Sequence, residues 1–242
     1  MSGHSKWKNI AHKKEKTDSQ RAKVFTKLSR EIIVAVREGG SADPNANSRL
    51  KDCIAKARQN NVPSDNIKRV IERAAGAAGG DAFESIQYEG YGPSAVAVIV
   101  EAMTDNRNRT AGDVRHYFDK FGGNMGAAGC VSWSFDKKGV IIIEREDNDE
   151  DTLMMAALEA GASDFEPEDE VFEIYTAPDD FSTVRDALEG QGYAMLSAQI
   201  EQVPQTWVTL TDEDSMIKMQ RLLDALDDCD DVQNVWHNCE NI

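Results

Sequence analysis

The sequence predicts an α+β fold: an N-terminal helical bundle followed by two ferredoxin-like α/β domains, one inserted in the other. Three observations predict it. Apolar residues recur at three- and four-residue steps through residues 18–76. The run Gly76-Ala77-Ala78-Gly79-Gly80 then reads as a flexible linker. Beyond it, short β-rich runs alternate with helical ones in an order that writes βαββαβ inside a second pair of β-α-β units. The expected domains are residues 1–80, a discontinuous α/β domain of residues 81–138 plus 204–242, and an inserted acidic α/β domain of residues 139–203. A chain of 242 residues exceeds the common domain size, so division into compact units is expected.

In chain order, the first helix is expected from Asp18 to Glu38, with Phe25, Leu28, Ile32, Ala35 and Val36 on its apolar stripe and Gly39-Gly40 as its stop. Asp43-Pro44 reads as the start of a second helix that buries Leu50, Cys53, Ile54 and Ala57 and ends at Asn60-Asn61. Pro63-Ser64-Asp65 opens a third, which turns Ile67, Val70, Ile71 and Ala74 inward while Lys68, Arg69 and Arg73 point elsewhere. Strands follow at Phe83–Tyr88 and Ala95–Met103, on either side of the turn EGYGP. That turn contains a loose GxGxxA, but a strand follows the glycines where a dinucleotide fingerprint needs a helix. A helix is expected over Arg109–Phe121, closed by Gly122-Gly123, and a strand over Val131–Phe135.

Lys137-Lys138-Gly139 reads as a turn into the inserted βαββαβ unit. That unit runs through Val140–Glu144, a helix near Glu150–Ala160, strands around Phe165 and Val171–Tyr175, the helix Asp179–Leu188, and Met195–Val203. Trp207–Leu210, Asp212–Leu226 and Val232–His237 complete the outer unit as β-α-β.

Charge divides the chain unevenly. Residues 1–80 hold 17 Lys and Arg against 8 acids, whereas residues 140–242 hold 4 against 27, in a chain of net charge −16. Such asymmetry points the basic end toward nucleic acid or another acidic surface. Enzyme signatures are missing: no GxxxxGK[ST], GxSxG or HExxH occurs. The expectation is therefore no enzyme, no cofactor and no metal. Asp147-Asn148-Asp149-Glu150-Asp151 opens like a calcium loop, but Thr152 and Leu158 break the pattern, so the run reads as a helix N-terminus. Asp224, Asp227, Asp228, Asp230 and Asp231 read as a solvated acidic face. Four cysteines without CxxC spacing favour core or surface roles, with Cys130 opening a strand; His237 and Cys239 are too sparse to read as metal ligands. The longest apolar stretch, Ala95–Val100, is too short to span a bilayer, and no secretory signal is read, so a cytoplasmic protein without a membrane partner is expected.

Two segments carry binding chemistry. In the opening arm, Trp7 sits between Lys6 and Lys8, with His4 and His12 on either side and Lys13, Lys14 and Lys16 beyond. Cations neutralise phosphate, and an indole or imidazole stacks on an unpaired base. On the first helix, Lys16, Lys23, Lys27, Arg30 and Arg37 fall opposite the apolar stripe, with Val34 intruding among them. In the second segment, Thr104 to Thr110, Arg107 and Arg109 occupy a strand-to-helix junction, where guanidinium forks and backbone N–H groups suit phosphate. The competing reading pairs these arginines with the chain's own surplus of acids.

GHSKW at the start, FTKLSREI, EGYGP, DNRNRT and GGNMGAAGCVSWSF together resemble the YebC family of bacterial proteins, whose mitochondrial relatives are translational activators of cytochrome oxidase. The resemblance runs over essentially the whole chain. Ser94-Ala95 departs from it, the family commonly having glycine after EGYGP. The resemblance implies three domains and a cytoplasmic, DNA-binding transcriptional regulator, with other members acting on the ribosome in translation. The expected partner is thus DNA, or ribosomal RNA in the alternative, with the acidic domains free to meet a protein of the ribosome or the transcription machinery.

Overall fold

The computed structural model describes residues 18–76 and 83–242, with side chains described from Lys23 onward in the first helix. Of the expected linker 76–80, residues 77–80 lie outside the described residues. Contacts among the described residues form two compact units. One is Phe135–Gln205, and the other joins 18–76, 83–134 and 206–240.

Three helices open the larger unit: α1 (Asp18–Glu38), α2 (Ser48–Gln59) and α3 (Ser64–Gly76). Their facing stripes bury Leu28, Ile32, Ala35, Val36, Leu50, Cys53, Ile54, Ala57, Ile67 and Ala74 in one cluster. α2 begins later than Asp43-Pro44. Asp43 instead closes a tight turn by accepting the Asn45 N–H at 2.9 Å, and Asn47 is the cap, accepting the Leu50 N–H at 3.0 Å. An Asx turn and an N-cap use the same residue types, which is why the sequence pattern puts the start four residues early.

The same unit holds a four-stranded antiparallel sheet of β1 (Glu84–Tyr91), β2 (Ala97–Thr104), β3 (Asn124–Met125) and β8 (Val232–His237), in the order β3-β1-β2-β8. Two helices, α4 (Arg107–Lys120) and α7 (Glu213–Asp228), bury Val114, Phe118, Met219, Leu222 and Leu226 against Val96, Val98 and Val100. The strand order is that of a ferredoxin-like sheet, but β1 occupies the place expected for Trp207–Leu210. That segment makes only one bridge, Val208 with Cys239. The eight-residue hairpin register of β1 on β2, from Glu84↔Thr104 to Tyr91↔Ala97, outcompetes a partner more than 100 residues away. Between them, Ser94 (φ 54°) and Ala95 (φ 61°) both lie in the left-handed region, the conformation in which glycine is unstrained.

The second unit is β4 (Phe135–Glu144), α5 (Glu150–Ala160), β5 (Asp164–Pro167), β6 (Val171–Thr176), α6 (Phe181–Gly190) and β7 (Met195–Pro204), with sheet order β5-β6-β4-β7. This is the βαββαβ unit read from the sequence. Its core joins Ile141, Ile143, Phe172 and Ile174 to Leu153, Val184 and Leu188. The expected strand Val131–Phe135 is replaced by a single 3-10 turn at Ser132–Ser134, so Cys130 lies in a loop, and β4 runs unbroken through Lys137-Lys138-Gly139. Gly139 is there for close approach. A Cβ would meet the Thr176 hydroxyl and stand 2.7 Å from Phe181 Cδ2. Gly139→Ala is expected to destabilise this unit by about 1–3 kcal/mol through overpacking, read as a lower urea midpoint; an unchanged midpoint would refute the crowding.

The calcium-like run is a helix cap: Asp149 accepts the Thr152 N–H at 3.0 Å and its hydroxyl at 2.5 Å, and these bonds hold its carboxyl below the usual range. Among the described residues no helix is long and apolar enough to cross a membrane, and no group of three His, Cys, Asp or Glu is placed to hold a metal ion.

Candidate nucleic-acid interface

The face of α1 opposite its bundle stripe is not a free row of cations. Lys23 Nζ lies 2.7 Å from Asp228 Oδ1, and Lys27 Nζ donates to Asp227 O at 2.8 Å and Oδ1 at 3.2 Å. Arg30 donates to the Asp230 carbonyl and, at 3.0 Å, to Asp231 Oδ1, while its guanidinium lies 5.1 Å from the Phe83 ring centre. Val34, which spoiled the cationic stripe in the sequence, is 1% exposed. α1 is thus packed on two sides, and its cations meet the turn that follows α7. The aspartates read as a solvated face are, at 227, 228 and 231, the partners of these cations.

Asp231 is the centre of this arrangement. Thr104 sits at the end of β2 and Asn106 caps α4, which brings Thr110 and Arg109 to one side of the helix start. Asp231 Oδ2 accepts from Arg109 Nη2 at 2.7 Å and from the Thr110 hydroxyl at 2.7 Å, with the Thr104 hydroxyl at 3.3 Å. Burial alone would raise the Asp231 pKa, but the bonds from Arg109 and Thr110 and the charges of Arg109 and Arg30 outweigh it and hold it below the usual carboxylate range. The Asp231 and Asp105 carboxylates in turn raise Arg109 above its ordinary value. A carboxylate of the chain itself occupies the position at the α4 start that the sequence suggested for phosphate.

The remaining expected residues divide as follows. Arg107 is two-thirds exposed, 3.6 Å from Glu84 Oε2. Arg37 closes the last turn of α1, where a cation complements the helix dipole. His4, Lys6, Trp7, Lys8, His12, Lys13, Lys14 and Lys16 lie outside the described residues. Sequence reasoning passed over Arg58, Lys68 and Arg69, which are exposed and have no ion-pair or side-chain hydrogen-bond partner among the described residues. The signal was available: Lys68 and Arg69 stand beside a strictly apolar set, Ile67, Val70, Ile71 and Ala74, with few acids in their own helix to neutralise them.

A second ordered feature lies in the loop after β3. Glu89, 4% exposed, accepts the N–H groups of Gly129 at 2.9 Å, Val131 at 2.9 Å and Ser132 at 2.8 Å. Burial would raise its pKa, yet these three donors and the Gln87 amide bring it below the ordinary value. The loop carries Trp133, 71% exposed. His237 and Cys239 bond to each other locally, the Cys239 N–H donating to His237 Nδ1 at 3.2 Å, and burial pushes the imidazole down to about 4.

Comparisons with known proteins cover nearly all of this chain. Residues 5–77 match the model of the TACO1/YebC protein N-terminal domain, and residues 83–239 that of the TACO1/YebC second and third domain. A protein of Acetivibrio thermocellus is 60% identical over 239 residues, with 98% of each chain covered. One from Caldicellulosiruptor saccharolyticus is 58% identical over 241 residues, with 99% of each covered; both bear the name "Probable transcriptional regulatory protein". The crystal structure of a conserved hypothetical protein from Aquifex aeolicus superposes with a TM-score of 0.84 at 47% identity, over 93% of this chain and 92% of that one.

Proposed function

The chain belongs to the TACO1/YebC family, and from that premise we propose that it is a non-enzymatic, cytoplasmic regulator of gene expression that binds nucleic acid through its helical N-terminal region. DNA is the expected polymer, as in a transcriptional regulator. The observation that carries this reading is the open cation set Arg58, Lys68 and Arg69, on a helical region in which Lys23 and Lys27 pair with the exposed carboxylates of Asp228 and Asp227. Exposed ion pairs contribute little and exchange readily. A polyanion that releases condensed counterions can replace the Asp227 and Asp228 carboxylates on Lys23 and Lys27. Arg30 and Arg109, held on buried Asp231, serve instead as positioning residues.

The reading is tested by the salt dependence of binding to a short duplex. For full-length protein, log K is expected to fall linearly with log salt. Replacing Lys68 and Arg69 together by alanine is expected to make the slope shallower by about 1.8, at about 0.9 for each phosphate no longer neutralised. An unchanged slope would place the binding surface away from α3.

A second reading, binding to ribosomal RNA in translation, is favoured by one observation. The unit Phe135–Gln205 carries 19 acids against 4 Lys and Arg, which opposes wrapping by a duplex and suits contact through one restricted face. Crosslinking in cells followed by sequencing separates the two: recovery of ribosomal RNA without promoter enrichment would overturn the DNA reading.

A further inference from the structure

The motif GGNMGAAGCVSWSF takes no part in the cation pairs, and the structure shows it as a hydrogen-bonded loop that presents Trp133 close to Tyr91 at the end of β1. Trp133 is 71% exposed and Tyr91 38%, and together with Ile217 they are the exposed large hydrophobic residues described in their unit. Exposure here does not come from looseness. The Glu89 carboxylate holds the loop at three places, Gly129, Val131 and Ser132. Gly129 takes φ +86°, and at Gly126 a Cβ would stand 2.6 Å from Cys130 Sγ, so the backbone is fitted closely around its own small residues.

Both rings are then fastened at one point. Trp133 Nε1–H donates to the Cys130 carbonyl at 3.0 Å, and the Tyr91 hydroxyl donates to the same carbonyl at 3.1 Å. Each ring has used its hydrogen-bond donor inside the protein, so what it offers a partner is its π surface. From Gly122 to Ser134 the chain carries no charged residue, in a protein with 43 acids. Phosphates are therefore not repelled by the loop itself, and Lys120 and Lys218 lie at its start, Lys120 over the Phe121 ring and Lys218 beside Gly122.

We infer that Trp133 and Tyr91 form a stacking platform for an unpaired nucleobase of a single-stranded nucleic acid. The inference rests on the nucleic-acid reading above and deepens it, adding a base contact to the phosphate contacts. Stacking is tolerant of sequence because every base has a π face, so the platform selects single strands over duplex rather than one base over another. A protein partner would use the same rings as an apolar anchor, but such anchors sit within a broader apolar ring that excludes water, and the exposed residues before Trp133 in the loop are the small Ala127, Ala128 and Gly129.

The experiment compares full-length protein with Trp133→Ala and Trp133→Phe on a single-stranded 12-mer and on an abasic strand with the same phosphates. Trp133→Ala is expected to weaken binding to the base-containing strand by about tenfold or more, to leave the abasic strand unchanged, and to be largely rescued by phenylalanine. Trp133 emission, isolated by replacing Trp7, Trp207 and Trp236 with phenylalanine, is expected to be quenched by the 12-mer and not by the abasic strand. Equal affinities for wild type and Trp133→Ala on both strands would overturn the platform and leave the cation contacts standing, with the rings assigned to a protein partner. Equal losses on both strands would overturn it too, by assigning Trp133 to folding. Absence of binding by wild type to either strand at low salt would overturn the platform as well, and would overturn the nucleic-acid reading itself only if the short duplex also went unbound.

Discussion

Asp231→Ala is expected to lower the unfolding free energy of the larger unit by about 3–5 kcal/mol, the range for removing one partner of a buried ionic cluster. The carboxylate is 5% exposed and serves Arg30, Arg109, Thr104 and Thr110 at once. Its loss leaves Arg30 without a carboxylate partner among the described residues and Arg109 with the exposed Asp105 alone. Asp231→Asn keeps the shape and an acceptor for Thr110 but not the charge, so it is expected to fall between wild type and alanine. Urea denaturation measures both, and an alanine variant within about 1 kcal/mol of wild type would show that water replaces the carboxylate without loss.

The pH dependence has a definite sign. Asp231 is more acidic in the folded chain than when unfolded. Its contribution is therefore complete above its unfolded pKa of about 3.9 and disappears as the pH falls below that value and through the folded pKa. Wild type and Asp231→Ala should converge in stability only on that acid side.

Glu89→Gln is expected to release the Trp133 loop almost as completely as Glu89→Ala, although the side chains of Glu and Gln have nearly the same shape. One carboxylate oxygen accepts from Val131 and Ser132, the other from Gly129 and the Gln87 amide. An amide has one acceptor oxygen, and its NH2 group would be turned against N–H donors on one side or the other. Each backbone donor left unmatched costs about 1–3 kcal/mol, so local opening is favoured over keeping the loop in place. Hydrogen exchange at Gly129, Val131 and Ser132 is the direct measurement, and acceleration of all three together is the expected result. Protection retained in Glu89→Gln would mean that the loop is held by its glycine packing alone. Folded Glu89 is also more acidic than usual, so its hold on the loop is full above about pH 4.3 and is lost as the pH falls through its lower folded pKa.

Much of the fold was legible in the sequence, for local reasons. α1 was readable from end to end because its stripe and the Gly39-Gly40 stop are contiguous. The βαββαβ unit was readable because its six elements follow one another without interruption. The outer sheet was not, because the choice between Glu84–Tyr91 and Trp207–Leu210 for one strand position is decided by pairing rather than by either segment's composition. Lys137-Lys138-Gly139 misled for a related reason: Gly139 answers to Phe181 and Thr176, far along the chain, and not to a turn.

The candidate site was legible in its residue types and less so in their partners. The reading that set Arg107 and Arg109 against the chain's own acids describes Arg109 on Asp231, whereas the pairing of Arg30 with the same carboxylate was not foreseen. Val34 among the cations was the clue that this face of α1 has a neighbour. Glu89 could not be found at all from sequence, because its three donors lie 40 to 43 residues away and leave no pattern.

The position of β8 beside β2 has a consequence for how the chain comes off the ribosome. β2 pairs with β1 on one edge soon after both are made, but its other edge waits for Val232–His237, at the end of the chain. The side chains that fill the core below it, Met219, Leu222 and Leu226, arrive only just before. Throughout synthesis of the residues between β2 and β8, β2 offers an open hydrogen-bonding edge and an apolar face covered by α4 alone, the two features that promote association between nascent chains. The βαββαβ unit, complete at Pro204, can close in that interval. Its acidic surface then sits on the same growing chain as the unfinished sheet, and its like charge would keep neighbouring nascent copies apart until the last strand is supplied.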